Sequence, residues 1–252
     1  MDIIIRETPA EVATVAADHI AQFVRPGGVL GLATGSTPEA TYQELIRRHR
    51  AGELSFAGMK AFLLDEYMSV PKDDPQSYYA TIRRVFTSDI DINDADVHSL
   101  DGMTNDPAGT AAAYEKAIAD AGGVDIQLLG IGTNGHIGFN EPGSPLRSRT
   151  RREILHPQTV EDNARFFESE DEVPRVVLTQ GLGTISEAKN ILLIATGFGK
   201  AEAVAALAEG PLSAQCPGSV LQLHNNVTVV IDEAASTRLV HSEYYRYKDQ
   251  YR

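Results

Sequence analysis

The residues best equipped for chemistry lie between Gly130 and Pro142, in the run Gly-Ile-Gly-Thr-Asn-Gly-His-Ile-Gly-Phe-Asn-Glu-Pro. His136 can give and take a proton near neutral pH. Glu141 is a carboxylate, and Asn134 and Asn140 are amides that can donate or accept hydrogen bonds. Four glycines within nine residues let this backbone approach a ligand closely. Gly130 to Gly135 matches the G-x-G-x-x-G dinucleotide fingerprint, but that fingerprint needs a helix directly behind it. Gly138, Pro142, Gly143 and Pro145 leave room for no more than a turn, so dinucleotide binding is set aside.

Four other stretches offer reactive or charged groups. Asp65-Glu66-Tyr67 follows the apolar run Met59 to Leu64. Alternation along a strand sends the two carboxylates to opposite sides, so at most one faces a given pocket. Thr34-Gly35-Ser36-Thr37-Pro38 follows the apolar run Val29 to Ala33. A glycine-hydroxyl turn at a helix start is an anion site. It also reads as an ordinary turn in which Thr37 caps the helix and Pro38 takes the first position. The two readings are compatible. Gly197-Phe198-Gly199-Lys200 opens another helix, and its lysine is either a phosphate contact or, as its position alone favours, a surface residue. Arg147, Arg149, Arg151 and Arg152 fall within six residues and read as a solvated loop or as an anion or subunit contact.

The elements that must position these groups follow from periodicity. Ile3 to Ile5 is a first strand, and Thr8-Pro9-Ala10-Glu11 is a capping box that opens a helix. Strands are expected at Val29 to Ala33, Met59 to Leu64, near Val97, at Asp125 to Leu129, Val176 to Leu178, Ile191 to Ala195 and Val227 to Ile231. Helices are expected over Pro38–His49, Ser77–Phe86, Asp106–Ala121, Thr159–Phe167, the segment through Ala208, and Glu233–Val240. Tyr244 to Arg252 reads as a polar tail. The alternation implies a mostly parallel α/β sheet with helices on both faces. Ligands then belong at the carboxyl ends of the strands. Four separate strand ends carry the candidates named above.

With 252 residues, 42% hydrophobic and 23% charged, residues 1–252 suit one globular domain. Net charge is −13 and no basic stretch could neutralise a phosphate backbone, which excludes nucleic acid as a partner. An anionic small substrate needs local cations or helix N-termini to offset the general field. The single cysteine, Cys216, allows no intrachain disulfide and fits a reducing cytoplasm. Met1 to Arg6 lacks the pattern of a secretory leader, and no stretch approaches membrane-spanning length, so no membrane association is expected.

Taken together, the chain resembles the glucosamine-6-phosphate deaminases. The resemblance rests on Leu64-Asp65-Glu66-Tyr67, on Gly132 to Pro142, on Ser148-Arg149-Thr150-Arg151, on Arg165-Phe166-Phe167 and on Leu221-Gln222-Leu223-His224. It implies a Rossmann-like fold of the sugar-phosphate isomerase type. It also implies conversion of D-glucosamine 6-phosphate and water to D-fructose 6-phosphate and ammonia, in N-acetylglucosamine breakdown. By the same resemblance His136 opens the sugar ring, Glu141 and Asn134 orient it or relay protons, and Asp65 moves a proton from C2 to C1. The phosphate would be held by Gly35, Ser36 and Thr37 with Arg165 and Lys200 as cations. No metal or organic cofactor is implied, and a homo-oligomer is compatible with the family. Two positions depart from its pattern. Asn134 stands where some members carry aspartate, and Glu153 stands where effector-activated members carry lysine. An acid there would repel the phosphate of N-acetylglucosamine 6-phosphate.

Two other readings share the phosphate turn: a 6-phosphogluconolactonase-like hydrolase and a sugar-phosphate-sensing domain. Lactone hydrolysis needs no C2-to-C1 proton shuttle, so Asp65 separates the first. A sensor would bind without turnover.

Overall fold

Strands and helices alternate along most of the chain in the computed structural model, which describes residues 1–251. In chain order the elements are β1 (Asp2–Arg6), α1 (Pro9–Ala21), β2 (Val29–Leu32), α2 (Ser36–Arg50), β3 (Lys60–Leu63), β4 (Asp65–Tyr67), α3 (Tyr78–Val85), β5 (Val97–His98), α4 (Pro107–Asp120), β6 (Ile126–Leu129), β7 (Arg151–Ile154), α5 (Pro157–Asn163), β8 (Val176–Thr179), α6 (Leu182–Ser186), β9 (Ile191–Ala195), α7 (Ala201–Ala208), β10 (Val227–Asp232), α8 (Glu233–Ser236) and α9 (Ser242–Asp249). The capping box forms as the sequence predicts: Thr8 accepts from the Glu11 N–H, and Glu11 accepts from the Thr8 N–H.

Seven strands form one parallel sheet in the order β1-β10-β9-β6-β2-β3-β5, with helices around it. From β2 the chain steps outward through β3 to β5. It returns at β6, beside β2, and then steps the other way through β9 to β10. The order therefore reverses between β2 and β6, and such a switch point opens a crevice at the strand carboxyl ends. Its walls are fixed by strands buried on both faces, among them Leu128, Leu129, Leu193, Val229 and Val230.

A second sheet was not legible in the sequence. β4, β8 and β7 pair antiparallel, in that order. Its edge strand β7 is Arg-Arg-Glu-Ile, half-buried and exposed residues alternating, and three of its four side chains are charged. Such a strand looks like a loop until its partner is known. Under this sheet lies a small separate core of Tyr67, Phe139, Leu155, Val160, Val173 and Val177.

Several boundaries differ from expectation. α2 begins at Ser36, two residues early, because Gly35 takes the capping position with φ 114°; Thr37 therefore lies inside the helix and does not cap it. The helix expected over Thr159–Phe167 starts at Pro157 and stops at Asn163, followed by a 3-10 turn over Ala164–Phe166. The one expected to reach Val240 stops at Ser236. The expected tail is instead α9, with Glu243 in its first turn and Arg246 and Lys248 in its last, each placed to suit the helix dipole. α9 lies along β1 through Lys248 to Asp2 at 2.9 Å and Arg6 to Asp249 at 2.5 Å. Arg252 lies outside the described residues. A second group of basic residues, Arg47, Arg48, His49 and Arg50, occupies the last turn of α2, where cations also oppose the dipole. No helix among the described residues is long and apolar enough to cross a membrane.

Candidate active site

A cleft of about 500 Å³ opens at the switch point. The turns after β2, β3, β6 and β9 all reach it, and α5 with the 3-10 turn behind it forms the far wall. Gly35, Ser36, Thr37, Asp65, His136, Arg165 and Lys200 line it. Asn134 and Glu141 stand behind His136 and do not line the cleft.

On the β2 side, no side chain caps α2 at its N-cap. The Ser36 and Thr37 N–H groups belong to the first turn, where helices have no internal acceptor. Pro38 removes the next donor and stiffens the turn. Lys200 is half-buried in the facing turn after β9. Burial lowers its ammonium below the ordinary lysine range, as does Arg165, while Asp162 acts the other way. Arg165 lies in the wall with its guanidinium 4.7 Å over the Phe166 ring. This end of the cleft thus pairs unspent backbone donors with two cations, in a chain that is acidic as a whole.

On the β3 side, β4 carries Asp65 and Glu66 with opposite fates. Glu66 turns to the start of α3 and accepts from the N–H groups of Tyr67, Tyr78 and Tyr79 at 3.0, 2.9 and 3.1 Å. Burial still holds its carboxyl above the usual carboxylate range. Asp65 turns to the cleft, and its carboxyl has no hydrogen-bond partner among the described residues. Burial, aided by the charge of Glu66, pushes its carboxyl up to about 8. A carboxylate so poised can both take and release a proton near neutrality.

On the β6 side, the glycine loop curls so that Gly132 N–H donates to the His136 carbonyl at 2.9 Å. A Cβ at Gly132 would sit 2.2 Å from His136 Cε1, so only glycine leaves room for the ring. Behind the ring, Asn134 Nδ2 donates to Glu141 Oε2 at 2.9 Å. That leaves Asn134 Oδ1 to face His136 Nδ1 at 2.7 Å. An amide oxygen only accepts, so Nδ1 carries a proton and Nε2 is the nitrogen left to exchange one. Glu141 Oε2 lies farther from Nδ1, at 3.6 Å, and acts on the ring through charge. Glu141 also accepts from Thr159 Oγ1 at 2.6 Å and from the His156 N–H at 3.2 Å. Burial alone would raise its carboxyl, but His136, Thr159 and Asn134 outweigh burial and bring it down to about 2. The arrangement is a carboxylate, an amide and an imidazole in series.

Sequence reasoning missed Tyr67, Tyr78 and Asn163, which also line the cleft. Tyr67 carried a usable signal, because it stands two residues from Asp65 and shares its strand face. Thr159 gave none, since its bond to Glu141 crosses 18 residues. Of the arginine group, Arg151 donates to Asn140 Oδ1 at 2.8 Å, to Ser144 Oγ at 3.1 Å and to Glu153 at 2.5 Å, and Arg149 pairs with Glu115 and Glu187. Neither lines the cleft.

Residues 4–230 match the family described as glucosamine-6-phosphate isomerases/6-phosphogluconolactonase. The glucosamine-6-phosphate deaminase of Corynebacterium aurimucosum is 63% identical over 252 residues, covering 100% of this chain and 99% of that one. The protein of the same name from Rhodococcus opacus is 59% identical over 248 residues, covering 98% and 96%. Among solved structures, a monomeric glucosamine-6-phosphate deaminase superposes with a TM-score of 0.92 at 44% identity, over 94% of this chain and 100% of that one. The 6-phosphogluconolactonase of Trypanosoma cruzi superposes with a TM-score of 0.76 at 25% identity, over 95% and 97%.

Proposed function

The chain belongs to the glucosamine-6-phosphate isomerase and 6-phosphogluconolactonase family, and on that premise we propose that it is an isomerising deaminase acting on D-glucosamine 6-phosphate. The products are D-fructose 6-phosphate and ammonia, with one water consumed. The observation that carries this reading is the bare carboxyl of Asp65 in the same cleft as His136. Identities of 54–63% to proteins named as deaminases support it further.

In this reading the phosphate sits on Gly35, Ser36 and Thr37, with Arg165 and Lys200 supplying charge. Nε2 of His136 takes the proton of the anomeric hydroxyl and, as imidazolium, protonates the ring oxygen, which opens the ring. Glu141 stabilises that imidazolium through Asn134 and through its own charge. Asp65 then takes the C2 proton of the aldehyde form, and the C1 oxygen, as charge builds on it, takes a proton from the neighbouring C2 ammonium of the substrate. Asp65 returns the proton to C1, leaving an iminium at C2. Water adds to C2, and the C–N bond breaks to release ammonia. The protein's part in every step is done by side chains on this one chain.

We carry residues 1–252 as one domain and place the activity in the cytoplasm, where phosphorylated sugars are held. A carboxylate already sits on Arg151, at Glu153, which supports a further expectation: N-acetylglucosamine 6-phosphate leaves the rate unchanged. The decisive experiment supplies purified protein with glucosamine 6-phosphate and measures ammonia and fructose 6-phosphate, beside 6-phosphogluconolactone in parallel. Ammonia release supports the deaminase, whereas lactone turnover without it would transfer the chain to the other branch of the family. Binding with no turnover of either would leave a sensor.

A further inference from the structure

Two phenols in the cleft have no part in that proton path. Tyr67 lies two residues after Asp65 on β4, so its ring shares the face of the Asp65 carboxyl while Glu66 between them turns away. Tyr78 opens α3 and stacks on Tyr67 with ring centroids 4.8 Å apart. Their hydroxyl oxygens are 3.0 Å apart. Asn163 Nδ2 donates to the Tyr67 oxygen at 3.0 Å. Burial pushes Tyr67 up to about 12 and Tyr78 well above the ordinary tyrosine value, so both keep their protons.

The proton count is then informative. The two hydroxyls hold two protons and share one hydrogen bond, and Asn163 only donates to them. One O–H is left over, and among the described residues nothing accepts it. A buried donor left unmet is destabilising. Both rings line the cleft, so the missing acceptor belongs to what fills it.

We propose that the Tyr67–Tyr78 pair donates a hydrogen bond to the C1 oxygen of the open-chain sugar, the oxygen that gains negative charge as Asp65 takes the C2 proton. The inference rests on the deaminase reading above. A neutral phenol fixed by its partner and by Asn163 strengthens its bond as that charge develops, which lowers the barrier more than it tightens substrate binding. The pair is then a catalytic contact and not merely packing.

Tyr67→Phe, Tyr78→Phe and the double variant test this. Each single variant keeps one hydroxyl, and the double keeps none. The double variant is expected to lose at least tenfold in kcat, with KM and the affinity for inorganic phosphate within twofold of the parent. Its Tm should stay within a few degrees. With substrate deuterated at C2, its primary isotope effect on kcat should exceed that of the parent, because proton removal has become slower. A double variant that keeps kcat within twofold overturns the proposal. So does one whose kcat falls together with phosphate affinity and Tm, or one that raises KM alone. If the parent itself releases no ammonia, the deaminase reading fails and this inference falls with it.

Discussion

Asp65 holds a carboxyl pushed to about 8 with nothing bonded to it. Its folded-state value lies above its unfolded one, so its ionisation opposes folding. The penalty is absent below about pH 4 and grows as pH rises, reaching its full size above about 8. Asp65→Asn should therefore raise the unfolding free energy at pH 8–9 by an amount on the order of a few kcal/mol, with Tm rising accordingly, and leave both unchanged near pH 4. Thermal melts across that range would show it, and a Tm gain independent of pH would contradict it. The same variant should lose about 10²- to 10⁴-fold in kcat while still binding inorganic phosphate. Glu141→Gln should cost of order 10²-fold in kcat with little change in KM, because a fixed anion and the orientation of Asn134 go together. Steady-state kinetics separates that outcome from a binding defect. These residues were legible because short sequence patterns carry them. Asn163 was not, because its place in the site comes from a bond to Tyr67 that crosses 96 residues.

At the scale of elements, the glycine loop is a mould for an imidazole. Gly132→Ala would drive the His136 ring from its place, and kcat should fall at least tenfold with Tm and phosphate binding largely kept. α3 is held by a buried cap: the Ser77 hydroxyl accepts from the Ala80 N–H at 2.9 Å and donates to the Lys72 carbonyl at 2.8 Å. Ser77→Ala should cost about 1–2 kcal/mol of stability in urea denaturation. Parallel strands and capped helices were readable from apolar runs and from Thr8, Pro9 and Asp106. β7 and α9 were not, because their sequences are charged on most faces and their order comes from partners distant in the chain. α2 began early because a glycine with φ 114° replaced the side-chain cap that Thr37 suggested.

The whole molecule resolves the conflict between an acidic chain and an anionic substrate. A net charge of −13 is spread over the surface, while Lys200, Arg165 and the α2 terminus converge on one end of the cleft. Every group assigned to the reaction comes from a single chain. Mixing Asp65→Asn with Lys200→Ala protein should then restore no activity, whatever the subunit number, whereas restoration would mean that subunits share a site. The sheet type and the gathering of four strand ends could be foreseen from the sequence. The strand order could not, since pairing β6 beside β2 joins runs of similar apolar composition that any register would satisfy.

In the proposed reading the turn after β2 meets the phosphate largely with main chain, and main chain is not erased by substitution. Such a handle can persist while the acids and bases opposite it are exchanged. Both activities in the family's description carry a 6-phospho group, as this predicts. Inheritance on this scaffold is therefore conservative in what is gripped and liberal in what is done to it, and new activities on it are to be sought first among other phosphorylated sugars.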